Sequence, residues 1–174
     1  MQVDAAGVNP NSVEVTLPNA FGSNTFEGGD ITTGAFSITG DGAVVRGSAA
    51  ASKIGFTSLT IDGASARFSH NVSNEDPFLN DTGTILVDND GRLQFRGGTI
   101  DNPLTVGSGG ANLRPANSTT DYAGSVQVWG DLATGAGPWD RIEFTGPMTL
   151  HDDVTVSGGN TNTNSAFSTG LTGD

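Results

Sequence analysis

The sequence predicts an all-β protein built as a parallel β-helix, a solenoid of short strands. Three observations predict it: strands of three to five residues that alternate polar and apolar side chains, turn-forming residues between them, and apolar centres that recur at a steady spacing. The alternation is clearest in 92–96 (RLQFR) and 104–106 (LTV). Strict alternation places one face of a strand in a core and the other in water.

The composition supports strands over helices. The 174 residues include 26 Gly, only 34% are hydrophobic, and Lys53 is the single lysine. Strong helix formers are therefore scarce, whereas Gly, Asn, Asp, Ser and Thr supply turns and strand edges. The length fits one domain with a sizeable core.

The spacing of apolar centres indicates repetition. Many steps along the chain are about eight to eleven residues, and two or three of them make a rung of about 20 to 30. Such units cannot bury an apolar face alone, so they must stack. An antiparallel β-sandwich, in which a strand recurs every ~8 to ~12 residues, satisfies the same spacing and is the alternative. The Gly-rich turns of irregular length and the short strands favour the parallel β-helix.

An N-terminal segment, 1–24, precedes the repeats and holds one clear strand. Its Val13, Val15 and Leu17 share one face of that strand. Because this strand stands alone before the repeats, we interpret it as an end cap or as an assembly strand that pairs with a neighbouring chain.

The solenoid body is predicted over 25–157, followed by a low-complexity tail, 158–174. Polar stretches broken by Pro or Gly predict three surface loops at 70–81, 115–121 and 130–140. His70 and His151 are assigned to surface positions.

The chain is acidic, with a net charge of −12 and no cysteine. This charge argues against nucleic-acid binding, which needs clustered Lys and Arg, and against anionic membrane surfaces. The acidic residues keep an extended β-protein soluble, or they bind Ca²⁺, and both interpretations stay open. No run is long enough for a transmembrane helix, and the N-terminus lacks the features of a signal peptide. If exported, the chain is a mature piece or an excised fragment.

Asp88 and Asp90 are the candidate metal ligands. They lie in an Asp-Asn-Asp-Gly run that is typical of a tight turn and could also supply oxygen ligands to Ca²⁺, the only cofactor the sequence suggests. An EF-hand loop is excluded because its twelfth position, Thr99, is not Glu.

Catalysis by paired carboxylates is the next possibility, because β-helices often act on polysaccharides. Four pairs are candidates: Glu75 with Asp76, Asp88 with Asp90, Asp140 with Glu143, and Asp152 with Asp153. The arginines are scattered along the sequence, so none is assigned to these acids as a partner. We predict no enzyme.

Aromatic residues mark the candidate ligand-binding loop. Trp129, Trp139 and Tyr122 bracket the Gly- and Pro-rich stretch 130–138. Exposed aromatic side chains there would stack on sugar rings or anchor a partner, whereas buried ones would pack under the loop.

The central part of the chain resembles a known repeat. The runs 97–107 and 111–114, and then 122–128 leading to 146–150, are similar to the autotransporter-associated β-strand repeat. The resemblance covers roughly residues 82–158. It implies a right-handed parallel β-helix of the bacterial surface passenger type, exported and stalk-like, with no catalytic residues to transfer.

We therefore expect an extracellular, structural or adhesin-like module of a bacterial cell surface. It would assemble with copies of itself end to end or by strand donation, and a surface glycan or a host or cell-surface protein is a further possible partner. The alternative is a carbohydrate-binding or polysaccharide-degrading β-helix of the tailspike type.

Overall fold

In the computed structural model of the protein, the described residues form twenty strands. The structure describes residues 2–4, 12–16, 23–27, 30–40, 44–47, 53–64, 66–70, 72, 75–116, 118–135, 141–151, 153–158, 165–167 and 171–173. Within 2–27, 44–47 and 165–173 it describes the backbone alone. Among these residues there is no helix, and hence none that could cross a membrane.

The strands stack into three ladders. The first ladder contains, in stacking order, β1 (Gln2–Asp4), β3 (Ser23–Glu27), β5 (Val44–Gly47), β7 (Arg67–His70), β9 (Gly91–Phe95), β12 (Ala111–Pro115), β15 (Leu132–Thr134) and β18 (Val156–Gly158). The second ladder contains β2 (Ser12–Thr16), β4 (Ile31–Thr39), β6 (Ile54–Asp62), β8 (Thr84–Asp88), β11 (Leu104–Val106), β14 (Val126–Val128), β17 (Met148–Leu150) and β20 (Leu171–Gly173). The third ladder contains β10 (Thr99–Ile100), β13 (Thr119–Tyr122), β16 (Arg141–Phe144) and β19 (Ser165–Phe167).

All pairings between the described strands are parallel. Leu104 of β11 lies opposite Val126 of β14, and Val126 lies opposite Met148 of β17, so consecutive coils here have equal length. The step from Leu104 to Val126 falls within the predicted rung length. The predicted parallel β-helix is confirmed, and the antiparallel sandwich is wrong.

The core is a set of columns of inward side chains, one residue per coil. In β11 and β14 the central residue faces outward and the two flanking residues are buried, as alternation requires. On the third side of the coil the column consists of large side chains: Phe78, Ile100, Tyr122 and Phe144. Strands this short are stable only because they pair with strands of neighbouring coils, on both sides everywhere except at the ends of a ladder.

Phe78 extends the third side of the solenoid beyond β10. It forms an isolated parallel bridge with Ile54, and its ring packs edge-on against Phe56 at 5.1 Å and stacks on Phe68 at 5.6 Å between centroids. The segment around it was predicted to be a surface loop, 70–81. That prediction is wrong at Phe78, because burial of the ring draws this residue onto the coil below, whereas Leu79 beside it is exposed.

A buried amide corner joins the third side to the second ladder. The Asn80 side chain accepts a hydrogen bond from the Phe56 N–H at 3.1 Å and donates one to the Phe56 carbonyl at 2.8 Å. One coil further, the fully buried Asn102 amide donates to the carbonyls of Asn80 at 2.7 Å and Gly83 at 2.9 Å. The Tyr122 hydroxyl then donates to the Asn102 carbonyl at 3.0 Å.

Glycine replaces asparagine at this corner in the next two coils. A Cβ atom at Gly124 would overlap the carbonyl oxygen of Asn102, and one at Gly146 would overlap those of Ala123 and Gly124. In these coils the asparagine side chain is therefore replaced by direct contact between the backbones of adjacent coils. Only glycine permits so close an approach.

The ladders continue across the predicted boundaries between the N-terminal segment, the solenoid body and the tail. In the N-terminal segment β2 pairs with β4, placing Val13 opposite Phe36 and Val15 opposite Ile38, whereas Leu17 lies outside the described residues. In the tail, β19 and β20 add one strand each to the third and second ladders.

Two other predicted loops contain strands. The loop predicted at 115–121 includes the start of β13, and the one predicted at 130–140 includes β15, whose Leu132 is fully buried. Polar composition misled the prediction here, because three or four residues suffice for a strand when neighbouring coils supply its hydrogen bonds.

Candidate functional site

An acidic turn column runs along the edge where the second ladder turns into the first. The turn 107–110 contributes no acid, and the described members come from four other turns: Asp62, Asp88 with Asp90, Asp131 and Asp153. The turns stack because the strands that flank them stack, so residues far apart in sequence share one edge of the solenoid.

The Asp88 turn has the geometry that the sequence predicted. Asn89 and Asp90 have positive φ angles of 51° and 61°, as both central residues of a type I′ turn do. The Asp88 Oδ1 atom accepts hydrogen bonds from the N–H groups of Asn89 and Gly109, each at 2.8 Å. The Asn89 amide in turn donates to Asp62 Oδ1 at 2.7 Å.

Aspartate carboxylates of this column bind the backbone of the next coil. Asp131 Oδ1 accepts from the Thr155 N–H at 2.9 Å, as Asp88 accepts from Gly109. Among the described residues, no group of three or more His, Asp or Glu side chains is arranged to hold a metal ion. Calcium binding by Asp88 and Asp90 stays a prediction, and the contacts at Asp88 give its carboxylate a structural role.

We expect Asp88→Ala to lower the free energy of unfolding by about 1.5–3 kcal/mol, because two backbone N–H groups lose a charged acceptor. The matched control is Asp90→Gly, which removes the same charge from the same turn and relieves the positive φ. It should change the stability by no more than about 1 kcal/mol. Urea denaturation of both variants checks this, and equal losses would contradict the role of Asp88.

An aromatic pair lies on the same edge. The Trp129 and His151 rings stack with centroids 3.7 Å apart and an interplanar angle of 5°, and Trp129 remains 48% exposed. His151 Nε2 lies 2.7 Å from Gln127 Oε1, which fixes the imidazole in place. Trp129 and His151 are separated in sequence by the length of one coil, so the coil step is the signal that relates them.

The other two predicted ligand aromatics do not join this pair. Tyr122 is fully buried in the core column, which corrects its assignment to a surface site. Its ring faces inward because Thr120 and Tyr122 are the alternate, buried residues of β13. Trp139 lies outside the described residues.

An arginine face covers the outer side of the first ladder, and it corrects the interpretation of the arginines as scattered. Arg67 of β7 lies opposite Arg92 of β9, and Arg114 of β12 lies opposite Gln94, the next outward residue of β9. Three of the chain's seven Lys and Arg residues thus belong to this face, which we define by Arg67, Arg92 and Arg114.

The arginines of this face affect one another. Burial lowers the pKa of the Arg92 guanidinium, and the positive charge of Arg114 lowers that pKa further. Although the chain has a net charge of −12, these arginines place positive charges close together on one surface.

His70, assigned to the surface from sequence, is fully buried at the end of β7. Neither ring nitrogen has a hydrogen-bond partner among the described residues. Burial lowers the His70 pKa below its ordinary value, the positive charge of Lys53 lowers it further, and Glu75 opposes both. Lys53 and Glu75 form an ion pair at 3.7 Å.

We expect this burial to make folding stability depend on pH. Below pH 6.5 or so, the unfolded chain takes up a proton on His70 that the folded protein resists, so stability falls as the pH decreases. Partial burial raises the pKa of Asp76, which acts in the opposite direction, at lower pH. Stability curves of wild type and His70→Gln, compared from about pH 7.5 to 5, should converge as the pH falls. Parallel curves would contradict the assignment of this pH dependence to His70.

Two of the four candidate carboxylate pairs lie wholly within the described residues, Glu75 with Asp76 and Asp88 with Asp90. Asp76 Oδ1 accepts a hydrogen bond from the Phe78 N–H at 2.9 Å, which gives it a local structural partner. Asp140 and Asp152 lie outside the described residues. Comparison of the chain with protein-family models, curated proteins and solved structures finds no match.

Proposed function

We propose that the protein is an extracellular structural module of a bacterial cell surface, a rigid rod that stacks end to end with copies of itself and presents adhesin-like side surfaces. The observation that carries the proposal is the pair of eight-stranded parallel ladders, which run from β1 to β18 and from β2 to β20. Each coil is hydrogen-bonded to the coils above and below it, so the rod resists bending and its length grows with the number of coils.

End-to-end stacking uses the outermost described strands of the second ladder. β2 and β20 each have one neighbour in that ladder, so each carries a row of backbone groups on its outer side. A β20 edge of one copy and a β2 edge of the next would continue the ladder in the same parallel sense. Val13 and Val15 of β2 remain the proposed assembly residues.

Electron microscopy in negative stain, with and without millimolar Ca²⁺, tests this proposal. Filaments or ordered arrays are expected. Calcium dependence would support cation binding by Asp88 and Asp90. Discrete monomers under both conditions would overturn the stacking.

Two proline variants of β2 sharpen the test. The N–H groups of adjacent strand residues point to opposite sides, so of Glu14→Pro and Val15→Pro one removes a donor to β4 and the other a donor at the outer edge. We expect the variant that loses the donor to β4 to have a lower melting temperature. The variant that loses the donor at the outer edge should stop filament growth. If neither variant affects growth, this edge is not the contact.

A second candidate, carbohydrate binding, is favoured by the exposed Trp129 ring. His151 covers one side of the indole and holds it in a fixed orientation, which suits stacking on a sugar ring. A glycan array with wild type and Trp129→Ala tests it: signals that persist in the variant would exclude Trp129 as the contact.

A further inference from the structure

The arginine face carries an inference that is independent of stacking, since a monomer presents the same surface. Arg67 and Arg92 lie directly opposite each other on adjacent strands, about 4.8 Å apart along the rod. Arg114 lies on the next coil, displaced by two residues along its strand. The guanidinium groups therefore follow the long axis of the solenoid across three coils.

Neutral hydrogen-bonding side chains fill the outward positions between the arginines. Ser69 lies opposite Gln94, and Asn112 lies opposite Arg92. Gln94 Oε1 is buried and has no hydrogen-bond partner among the described residues. The outward residues of β7, β9 and β12 include no aromatic side chain.

The charge of Arg92 is incompletely balanced. The influences on its guanidinium are burial and the like charge of Arg114, both of which disfavour the charged form. An anion that bridges the two guanidinium groups would relieve this repulsion. Arginine suits that role because its planar fork binds carboxylate or sulfate through two parallel hydrogen bonds.

We propose that the arginine face binds a linear acidic polysaccharide that lies along the axis of the solenoid. Its carboxylate or sulfate groups contact the guanidinium groups of Arg67, Arg92 and Arg114. Its hydroxyl groups bond with the side-chain amide of Asn112, which faces outward on β12.

The surroundings favour a polysaccharide over nucleic acid. Single-stranded nucleic acid gains affinity by stacking bases on aromatic side chains, which the outward positions of these three strands lack. Sugars instead offer many hydroxyl groups, which match the amide side chains here.

Binding of polygalacturonate, measured by biolayer interferometry at low salt, tests the proposal, with heparin as a sulfated probe and dextran as the neutral one. Wild type is expected to bind at least one acidic polymer and to ignore dextran. Affinity should fall as salt rises from about 50 to about 200 mM. The double variant Arg92→Gln/Arg114→Gln should bind about tenfold or more weakly.

Arg141→Gln is the matched control, because Arg141 lies on β16 in the third ladder and pairs with Glu143 at 3.4 Å. It removes the same charge from another face and should bind within about twofold of wild type. Arg92→Lys/Arg114→Lys keeps the charge, loses the fork and should give an intermediate affinity, with thermal melts confirming that each variant is folded.

Three results would overturn the proposal: absence of binding to both acidic polymers, equal losses in Arg141→Gln and the double variant, or equally tight binding of single-stranded DNA. None of them bears on filament formation, so this proposal and the stacking proposal fail separately.

Discussion

The Asn102→Asp variant is expected to lose about 3–5 kcal/mol of unfolding free energy at pH 7. Asn102 is fully buried, and its amide donates to the carbonyl oxygens of Asn80 and Gly83. A carboxylate cannot donate, so the substitution directs negative charge at two buried acceptors and leaves both without a partner. Amide and carboxyl groups have nearly the same shape, and the loss therefore reports hydrogen bonding and charge.

The pH dependence of this variant provides a second test. Burial and the facing carbonyl groups raise the pKa of the new carboxyl group above its ordinary value of about 3.9. The penalty is therefore largest above the folded-state pKa and shrinks as the pH falls through it, because the protonated acid again donates one hydrogen bond. Urea denaturation at about pH 7 and pH 4.5 measures both effects.

Asn112→Asp is the control for charge alone. Asn112 faces outward on β12, and its amide donates to the Asp90 carbonyl at 3.3 Å. Its substitution adds the same negative charge and should cost about 1 kcal/mol or less. Similar losses in the two variants would mean that added charge, rather than the buried corner, determines stability.

Gly146→Ala is expected to lower the free energy of unfolding by about 3 kcal/mol or more, and the melting temperature by about 6–12 °C. The new methyl group would overlap the carbonyl oxygens of Ala123 and Gly124 in the coil below. These oxygens belong to backbone held by parallel pairing on both sides, so relief requires two coils to separate locally. Differential scanning calorimetry measures the shift.

Gly55→Ala is the matched control for this glycine. The nearest atoms to a Cβ at residue 55 are Leu79 Cβ at 3.3 Å and Leu79 Cδ1 at 3.4 Å, so the new methyl group would need its neighbours to shift by only a few tenths of an ångström. The change should lie within about 1 kcal/mol of wild type, since alanine suits a strand interior better than glycine does. A loss at residue 55 as large as that at 146 would contradict the corner argument.

The sequence predicted the strand type and stacking because both depend on local patterns. Alternation identified β9 and β11, and Gly-rich turns indicated a parallel solenoid. The register was harder, because coil length changes in the middle of the chain: the step from Leu59 to Ile85 is longer than the step from Ile85 to Leu104. Turns of different length produce these unequal steps, so the sequence alone could not align the coils.

The candidate surfaces depend on that register, which is why sequence reasoning missed them. Arg67, Arg92 and Arg114 become neighbours only once the coils are aligned. Asn102 precedes a proline and lies in an Asp-Asn-Pro run that is typical of an exposed turn, yet stacking buries it. Tyr122 was predictable, because alternation within β13 already placed it on the inward face with Thr120.

Because the steps from Leu104 to Val126 and from Val126 to Met148 are equal, the length of the rod can change by whole coils. A gene that duplicated the codons for 124–145 would insert one complete coil and restore every downstream register. The inserted corner would again begin with glycine, so it would fit the same backbone contact that Gly124 and Gly146 make. Tandem duplication could thus lengthen such a molecule by about 4.8 Å at a time without redesigning its interior.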